Sequence, residues 1–250
     1  MPDRFITISV DDGATADLRT ADLLSKYGLQ ATFYVPVKNP ERPVIPSSQI
    51  RELSRRFEVG AHTVNHATLT TLPPDEAWIE ISESKRWIED TVGIPAVSFC
   101  YPRGKFDAST QGLVKKAGFL GARTCFFNLH AFPRNPFLWG VSTHAYSHSK
   151  AIQLRHAAWE YNFVGLLNFV RTYHGATDWP EHFLLGMDHV ERYGGIAHLY
   201  LHSWEIDEEG QWDRLEAVFA AISRRDSFHR LTNGALFHLW SGRNHDNGRN

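Results

Sequence analysis

Two adjacent acidic residues, Asp11 and Asp12, follow a run of β-forming residues near the start of the chain. Adjacent carboxylates repel each other, and one pKa rises unless a cation or a proton stabilises the pair. The segment HTVNH offers two imidazoles further along the chain, His62 and His66. One carboxylate and two imidazoles can bind a divalent metal ion, and the second carboxylate is then free to act as a base. These four residues predict a metal-dependent enzyme.

The spacing of His62 and His66 would bring both imidazoles to one face of a helical turn, where they can share a cation. This spacing alone is a weak signal, since the chain has 14 histidines and solvated loop histidines are the alternative. The zinc-protease pattern HExxH is absent because position 63 is Thr. A hydrolase built on these histidines therefore needs a base from elsewhere, and Asp11 or Asp12 can supply it.

Strand and helix patterns alternate along the chain, which predicts an α/β fold with a parallel sheet, closed or open. The acidic pair, His62 and His202 each follow a predicted strand, and active sites gather at the carboxyl ends of such strands. We expect Ser47 or Ser48 to cap one helix and Asp107 another. The predicted strands are 4–10, 31–37, 57–61, 96–101, 119–124 and 196–202, and the predicted helices are 14–27, 47–57, 73–91, 107–117 and 212–222.

No composition shift, repeat or low-complexity stretch divides the 250 residues, so residues 1–250 are predicted to form one domain. The segment 150–192 has a helical pattern longer than one crossover helix, which suggests a helical insertion or lid. The stretch 125–150 is dense in Phe, Pro and His, and no element is predicted there.

Bulk composition excludes several classes of protein. The formal net charge of −2, with mixed signs throughout, does not favour a nucleic-acid partner. No apolar run approaches the roughly 20 residues of a membrane span, and the N-terminus lacks the features of a signal peptide. If the chain is complete, we expect a cytoplasmic protein. Two cysteines, Cys100 and Cys125, are too few for a disulfide framework and are predicted to be buried, reduced thiols.

The segments SVDDG, HTVNH and LYLH, in this order, resemble the polysaccharide deacetylases (carbohydrate esterase family four). The resemblance covers roughly residues 4–125 and 195–225. It implies a metal-dependent N- or O-deacetylase on a distorted, incomplete (β/α) barrel.

The resemblance also implies roles for individual residues. Asp11 is the general base and His202, in LYLH, is the general acid; a buried strand-end histidine is the alternative for His202. Thr63 stands where the family has Ser or Thr and is expected to be an orienting hydrogen-bond donor. The metal ligands are Asp12, His62 and His66. Such a ligand set accepts zinc, which we expect first, or cobalt, nickel or iron.

Further residues are predicted around the substrate. A backbone N–H of the Pro102–Gly104 turn is expected to stabilise the oxyanion, and Tyr101, just before this turn, is predicted to contact the substrate. Arg103 either contacts an anionic substrate group or forms a salt bridge at the strand end. Trp204 either stacks on a sugar ring or packs at the barrel mouth, and Asp207 is a candidate for fixing the tautomer of His202.

The chain departs from the family pattern in two places. The family's third motif begins with an Arg that braces the catalytic aspartate and has Tyr before its Gly. Here Cys100 stands at the brace position and Arg103 at the Tyr position. The family's fourth motif, an aspartate pair ending in Trp, is not visible between 125 and 150, where His144 could reach the site or be merely packed.

The leading functional prediction is a metal-dependent hydrolase that removes an acyl group, acetyl in the first place, from an N-acylated sugar or glycan precursor. The partner is then a carbohydrate or sugar conjugate, such as a nucleotide sugar or lipid-linked sugar. One alternative is another C–N hydrolase, such as a deformylase or cyclic amidase. A second alternative is a non-catalytic carbohydrate-binding scaffold, which only the missing Arg brace favours. The sequence predicts no oligomeric state.

Overall fold

The computed structural model describes residues 3–159 and 161–247. Within these ranges, eight parallel strands form one sheet that is surrounded by helices. The strands are β1 (Arg4–Asp11), β2 (Thr32–Val35), β3 (Glu58–Ala61), β4 (Ser98–Cys100), β5 (Gly121–Arg123), β6 (Thr143–His144), β7 (Gly195–Leu201) and β8 (His229–Arg230). The helices are α1 (Asp17–Lys26), α2 (Ser47–Leu53), α3 (Pro74–Val92), α4 (Ala108–Lys116), α5 (Lys150–Trp159), α6 (Phe163–Arg171), α7 (Trp179–Tyr193), α8 (Ser203–Glu208), α9 (Trp212–Ser223) and α10 (Asn233–Asn247).

The strand order is β5-β4-β3-β2-β1-β7-β6, with β8 beside β1. The central strand, β1, is buried from Phe5 onward because β2 and β7 flank it and helices cover the sheet. Near-continuous burial of this kind is typical of a strand in a parallel sheet. Since all strands run in parallel, their carboxyl ends meet at one edge, where the polar residues of the sequence collect.

The sheet curls but does not close regularly. A single parallel bridge joins Arg123, at the end of β5, to Trp139, and the two-residue strand β6 pairs with β7. The predicted distorted, incomplete (β/α) barrel is confirmed.

Two predicted helix starts have different outcomes. Asp107 caps α4 as predicted, because its side chain accepts a hydrogen bond from the Thr110 backbone N–H. The predicted cap of α2 is wrong: Ser47 and Ser48 lie inside its first turn, and the N-cap is Pro46 in an extended conformation. Proline fixes its own φ and favours such an entry, so no side-chain cap is needed to start the helix.

The segment 150–192 is helical, as predicted, and consists of α5, α6 and most of α7. The stretch before it contributes only the short strand β6. No helix among the described residues is both long and apolar enough to cross a membrane.

Both cysteines are reduced. Cys100, at the end of β4, is buried as predicted, whereas Cys125 is only partly buried, which corrects the prediction for that residue. Cys125 follows the end of β5, where Gly104 approaches it so closely that a Cβ at position 104 would come within 2.7 Å of the Cys125 Cβ.

Candidate active site

The two adjacent aspartates lie at the carboxyl end of β1, where the chain turns sharply. Asp11 is the last residue of the strand, and Asp12 and Gly13 adopt left-handed conformations with φ of 82° and 64°. A non-glycine residue rarely adopts this conformation and pays roughly 1–3 kcal/mol for it. The turn keeps both carboxylates buried at the sheet edge.

His62 and His66 meet in a loop and not on a helical turn, so the predicted reason for their proximity is wrong. Thr63 and His66 have φ of 69° and 52°, which interrupts any helix. The buried carboxylate of Glu80, from α3, accepts hydrogen bonds from the backbone N–H groups of Val64 and Asn65 and from the Asn65 side chain. A carboxylate that the sequence analysis did not single out therefore fixes this loop.

One oxygen of Asp12 faces both imidazoles. Its Oδ1 atom lies 3.6 Å from the Nε2 atom of His62 and 3.2 Å from that of His66, and it has no hydrogen-bond partner. The other oxygen accepts a hydrogen bond of 2.9 Å from Trp204 Nε1. His62 Nδ1 lies 2.8 Å from the Cys100 carbonyl oxygen, which only accepts, so Nδ1 carries the proton and Nε2 presents a lone pair.

Asp12 and His66 have the protonation states that metal ligands need. Burial raises the pKa of Asp12, but its interactions with the imidazoles of His62, His202 and His66 lower it well below its usual range. Burial lowers the pKa of His66 to about 4. Because the carboxylate is ionised and the imidazole is neutral at pH 7, the group fits a divalent cation.

Asp11 has one oxygen held and one oxygen free. Its Oδ2 atom accepts a hydrogen bond from Arg123 Nη2 and lies 3.6 Å from Cys100 Sγ, whereas its buried Oδ1 atom has no hydrogen-bond partner. Burial raises the pKa of Asp11, but the Arg123 guanidinium and the imidazoles of His62 and His202 together lower it below its usual value. An ionised carboxylate with one unpartnered oxygen can accept a proton.

Arg123 occupies the role of the bracing Arg that is missing from the third motif. It ends β5, and its strand-pairing partner on β4 is Cys100, the residue at the family's brace position. Its fully buried guanidinium lies 2.8 Å from Cys100 Sγ and 4.5 Å from the centre of the Tyr200 ring. The small cysteine leaves room for an arginine from the next strand to reach Asp11.

The imidazole of His202 follows β7 and points back to the aspartates. Its Nε2 atom lies 3.9 Å from Asp12 Oδ2, and its Nδ1 atom lies 2.7 Å from Glu205 Oε2. Burial lowers the pKa of His202, but the hydrogen bond with Glu205 and the charges of Asp12 and Glu205 raise it to about 9. A protonated imidazole therefore lies 3.9 Å from the Asp12 carboxylate.

Glu205 also binds a second imidazole. His144, at the end of β6, lies 2.8 Å from the same Glu205 oxygen, and its Nδ1 atom lies 3.0 Å from His148 Nε2. The ring of His144 stacks on Tyr200 with 4.2 Å between the ring centres. His144 thus reaches the site, through Glu205.

The prediction that Asp207 fixes the His202 tautomer is wrong. Asp207 accepts a hydrogen bond of 2.7 Å from Trp212 Nε1, and Glu205 contacts His202 instead. Residue 205 stands three positions after His202, which is the N-cap of α8, and positions three apart meet on one side of a helix.

The predicted substrate contacts after β4 also change. Tyr101 is buried against Phe99 and Phe106, so its predicted contact with substrate is wrong. The N–H of Gly104 donates to the Tyr101 carbonyl within the turn, so this N–H is already hydrogen-bonded. Arg103 forms an ion pair with Glu41 at the surface, which is the second of the two roles predicted for it.

Trp204 is held between two partners. Its indole N–H donates to Asp12, and the Arg42 guanidinium lies 3.4 Å from the centre of its ring. One face of the ring is therefore covered, which favours packing at the barrel mouth over stacking on a sugar. Thr63 Oγ1 accepts a hydrogen bond of 3.1 Å from the Ala67 N–H and so stabilises the histidine loop; its role as a donor stays a prediction.

The model of the family described as "Polysaccharide deacetylase" matches residues 1–122. This match covers just under half of the chain. The predicted resemblance to the polysaccharide deacetylase family is confirmed over these residues, which include Asp11, Asp12, His62 and His66.

Three known proteins show how far this chain resembles others. It is 25% identical over 120 residues to YxkH of Bacillus subtilis (strain 168), covering 47% of this chain and 43% of that protein. It is 27% identical over 154 residues to the peptidoglycan-N-acetylglucosamine deacetylase of Bacillus cereus, covering 60% of this chain and 70% of that protein. A Mycobacterium smegmatis structure assigned to the polysaccharide deacetylases superposes with a TM-score of 0.69 at 15% identity, covering 96% and 92% of the two chains.

The extent of these matches differs between sequence and fold. The chain spans less than half the length of YxkH. The likeness to the Mycobacterium smegmatis structure extends over almost the whole chain but, at its low identity, concerns the fold alone. Arg123, His144, His202 and Glu205 all lie beyond the residues that the family model matches.

Proposed function

We propose that this chain is a metal-dependent hydrolase that removes an acyl group, acetyl in the first place, from an N-acylated sugar or glycan precursor. One observation carries the proposal: an unpartnered oxygen of Asp12 faces the Nε2 atoms of His62 and His66, next to an unpartnered oxygen of Asp11. A divalent cation bound there supplies Lewis acidity to a carbonyl oxygen and lowers the pKa of water. In this proposal residues 1–250 act as one catalytic domain, with residues 150–192 as a helical insertion.

Asp11 acts as the general base. Its free Oδ1 atom takes a proton from the attacking water as the new C–O bond forms. Arg123 holds the other oxygen, so the carboxylate keeps one orientation while it accepts the proton. The guanidinium also keeps the pKa of Asp11 low, and Asp11 is therefore ionised when the substrate arrives.

The turn after β4 can supply one donor to the oxyanion. Of its three residues, Pro102 has no N–H, and Gly104 donates its own to Tyr101. The Arg103 N–H is the remaining donor, and the left-handed backbone of Arg103, with φ of 56°, sets its direction. We assign the oxyanion contact to this backbone group and not to the Arg103 side chain.

His202 acts as the general acid. Glu205 accepts the Nδ1 proton, which leaves the Nε2–H of the imidazolium facing the aspartates and the leaving nitrogen. An amine expelled without a proton is a very poor leaving group, so this transfer completes C–N cleavage. His144 donates to the same Glu205 oxygen and fixes it in place.

Several observations bear on the metal and the substrate. Two imidazoles and a carboxylate suit zinc, and the same set accepts cobalt, nickel or iron. The Bacillus cereus relative acts, by its name, on N-acetylglucosamine, which supports an N-acetyl sugar here. The same residues would also serve another C–N hydrolase, such as a deformylase or cyclic amidase. The scaffold alternative loses its support, since Arg123 occupies the role of the missing brace.

The test measures metal content and acyl release on the same samples. We expect the purified protein to release acetate from N-acetyl sugars, to lose this activity with a chelator, and to regain it when zinc is added. Asp12→Ala and His66→Ala should lose both metal and activity. His229→Ala, which removes an exposed imidazole on β8, is the matched control and should keep both.

Two results would change the proposal. Formate release, or opening of a cyclic amide, without acetate release would select the alternative C–N hydrolase. Stable metal binding with no acyl release from any sugar would favour the binding scaffold.

A further inference from the structure

Exposed large hydrophobic side chains concentrate in one short segment. Among the side chains that the structure describes, twelve such residues are exposed, and seven of them lie between positions 154 and 170. Trp159 and Tyr161 are 70% and 80% exposed. A concentration of exposed apolar side chains of this size is typical of an interaction site. The seven residues are Leu154, Trp159, Tyr161, Phe163, Val164, Leu167 and Val170, and we call them the apolar face.

Helix α6 packs against the protein with Gly165, Phe169 and two asparagines. Asn162 caps its start by accepting a hydrogen bond from the Gly165 N–H, and Asn168 donates to the Asn128 carbonyl over 2.7 Å. A Cβ at Gly165 would lie 2.5 Å from the Phe127 carbonyl oxygen, so the helix sits directly on that loop. An ordinary surface helix presents polar residues to solvent. Here four further apolar residues of the helix are exposed although Phe169 is buried, so an apolar side of α6 is left for another partner.

Basic side chains border the apolar face. Lys150, Arg155 and Arg171 are exposed, and residues 146–176 contain these three cations and one acidic residue. The Arg155 guanidinium lies 5.0 Å from the centre of the Trp159 ring. Arg171 follows Leu167 by four positions on α6, so both lie on the same side of the helix.

A basic cavity of about 310 Å³ adjoins the end of α6. Arg171, Arg192 and His174 line it. Its one acidic lining residue, Asp188, pairs with Arg225 over 2.6 Å, and Arg225 also pairs with Glu191. Because two guanidinium groups and one carboxylate line it, the cavity suits an anionic group such as a phosphate.

We propose that the apolar face and its basic border dock on the surface of a bilayer that contains anionic phospholipids. Aromatic and aliphatic side chains flanked by Lys and Arg are the composition of interfacial anchors, which bury their apolar side at the boundary between headgroups and acyl chains. The cations attract the negative surface potential of such a membrane, and the cavity accepts a lipid phosphate. A second copy of the chain would place this basic border against itself. The docking does not depend on the proposed hydrolysis.

The test is co-sedimentation of the full chain with two kinds of vesicle, one of phosphatidylcholine alone and one of phosphatidylcholine mixed with phosphatidylglycerol. We expect binding to the mixed vesicles, roughly tenfold weaker binding to phosphatidylcholine alone, and weakening by salt. The double variants Phe163→Ser/Leu167→Ser and Arg155→Gln/Arg171→Gln should each bind roughly tenfold less or weaker still. Ile79→Ser/Ile94→Ser, which changes exposed residues elsewhere, is the matched control and should bind like the unchanged protein.

A second measurement covers the case in which the α6 variant fails to fold, which circular dichroism would reveal. Brominated phospholipids should quench tryptophan fluorescence of the unchanged protein, and Trp159→Phe should lose most of that quenching. Equal binding of all variants, or no binding to the mixed vesicles, would overturn the proposal. A dimer that Phe163→Ser/Leu167→Ser dissociates, without vesicle binding, would show instead that a second copy covers this face.

Discussion

The two sides of the candidate site are fixed by different means. On the metal-and-base side, backbone geometry fixes the side chains. Residues with a left-handed backbone follow β1 and shape the histidine loop. The pairing of β4 with β5 brings the Arg123 guanidinium to Asp11. On the acid side, one carboxylate binds two imidazoles. The metal-and-base side comprises Asp11, Asp12, His62, His66 and Arg123, and the acid side comprises His144, His202 and Glu205.

This difference shows which changes each side can tolerate. On the metal-and-base side, a guanidinium contacts Asp11 although Cys100 stands at the family's brace position. The arginine comes instead from the neighbouring strand β5. The acid side has a single shared partner, so a change at Glu205 affects both imidazoles. The four predictions that follow test the metal-and-base side and the acid side separately.

The largest effect is expected on the acid side from His202→Asn. Without an acid to protonate the leaving nitrogen, kcat should fall by roughly 10²–10⁴-fold. The bound metal should stay, because His202 does not belong to the group formed by Asp12, His62 and His66. Acetate release and metal content measured on the same sample check this, and a loss of metal would contradict the separation of the two sides.

A smaller effect on the metal-and-base side is expected from Arg123→Lys. Lysine keeps the charge but loses the planar fork that contacts Asp11 and Cys100, so kcat should fall by roughly ten- to a hundredfold. Arg103→Lys is the matched control, since its partner Glu41 lies at the surface. Equal losses in the two variants would contradict the role of Arg123 as the brace.

Glu205→Gln should lower kcat by about tenfold and change its pH dependence. The rate falls as pH rises through the pKa of His202, because the acid must be protonated. Glu205 raises that pKa, so removing its charge should move the alkaline limb of the pH–rate profile to lower pH by about one unit or more. An unchanged alkaline limb would mean that another group acts as the acid.

The smallest effect is expected from Asp207→Asn. The amide oxygen of Asn can still accept the hydrogen bond from Trp212, and Asp207 has no contact with His202 among the described hydrogen bonds. Turnover should stay within about twofold, as for surface substitutions away from a site. A loss comparable to that of Glu205→Gln would restore the role that the sequence suggested for Asp207.

The sequence predicted the metal-and-base side better than the acid side. Asp11 and Asp12 end a clear strand pattern, and the order of three short segments was enough to identify the family. The role of Arg123 could not be predicted, because its position beside Cys100 arises only when β4 and β5 pair. No local sequence pattern specifies that register. Its only sequence signal was a charged residue at the end of an otherwise apolar predicted strand.

Two other residues could not be predicted, for different reasons. The sequence indicates a solvent-facing charge on α3 for Glu80, yet its carboxylate is buried under the histidine loop. The shape of this loop depends on left-handed residues that no sequence pattern predicts. Glu205 and Asp207 are chemically equivalent in the sequence. Only the helical geometry of α8, which brings the third residue after His202 back toward it, distinguishes them.

The most direct test of the account compares two variants of adjacent residues, Asp11→Asn and Asp12→Asn, by metal content and turnover. Asp11→Asn should keep the metal and lose turnover by roughly 10²–10⁴-fold, because it removes the base alone. Asp12→Asn should lose metal affinity together with turnover, because its Oδ1 atom faces both imidazoles. Full turnover in Asp11→Asn, or loss of metal from Asp11→Asn with retention in Asp12→Asn, would contradict the division of roles between the two aspartates.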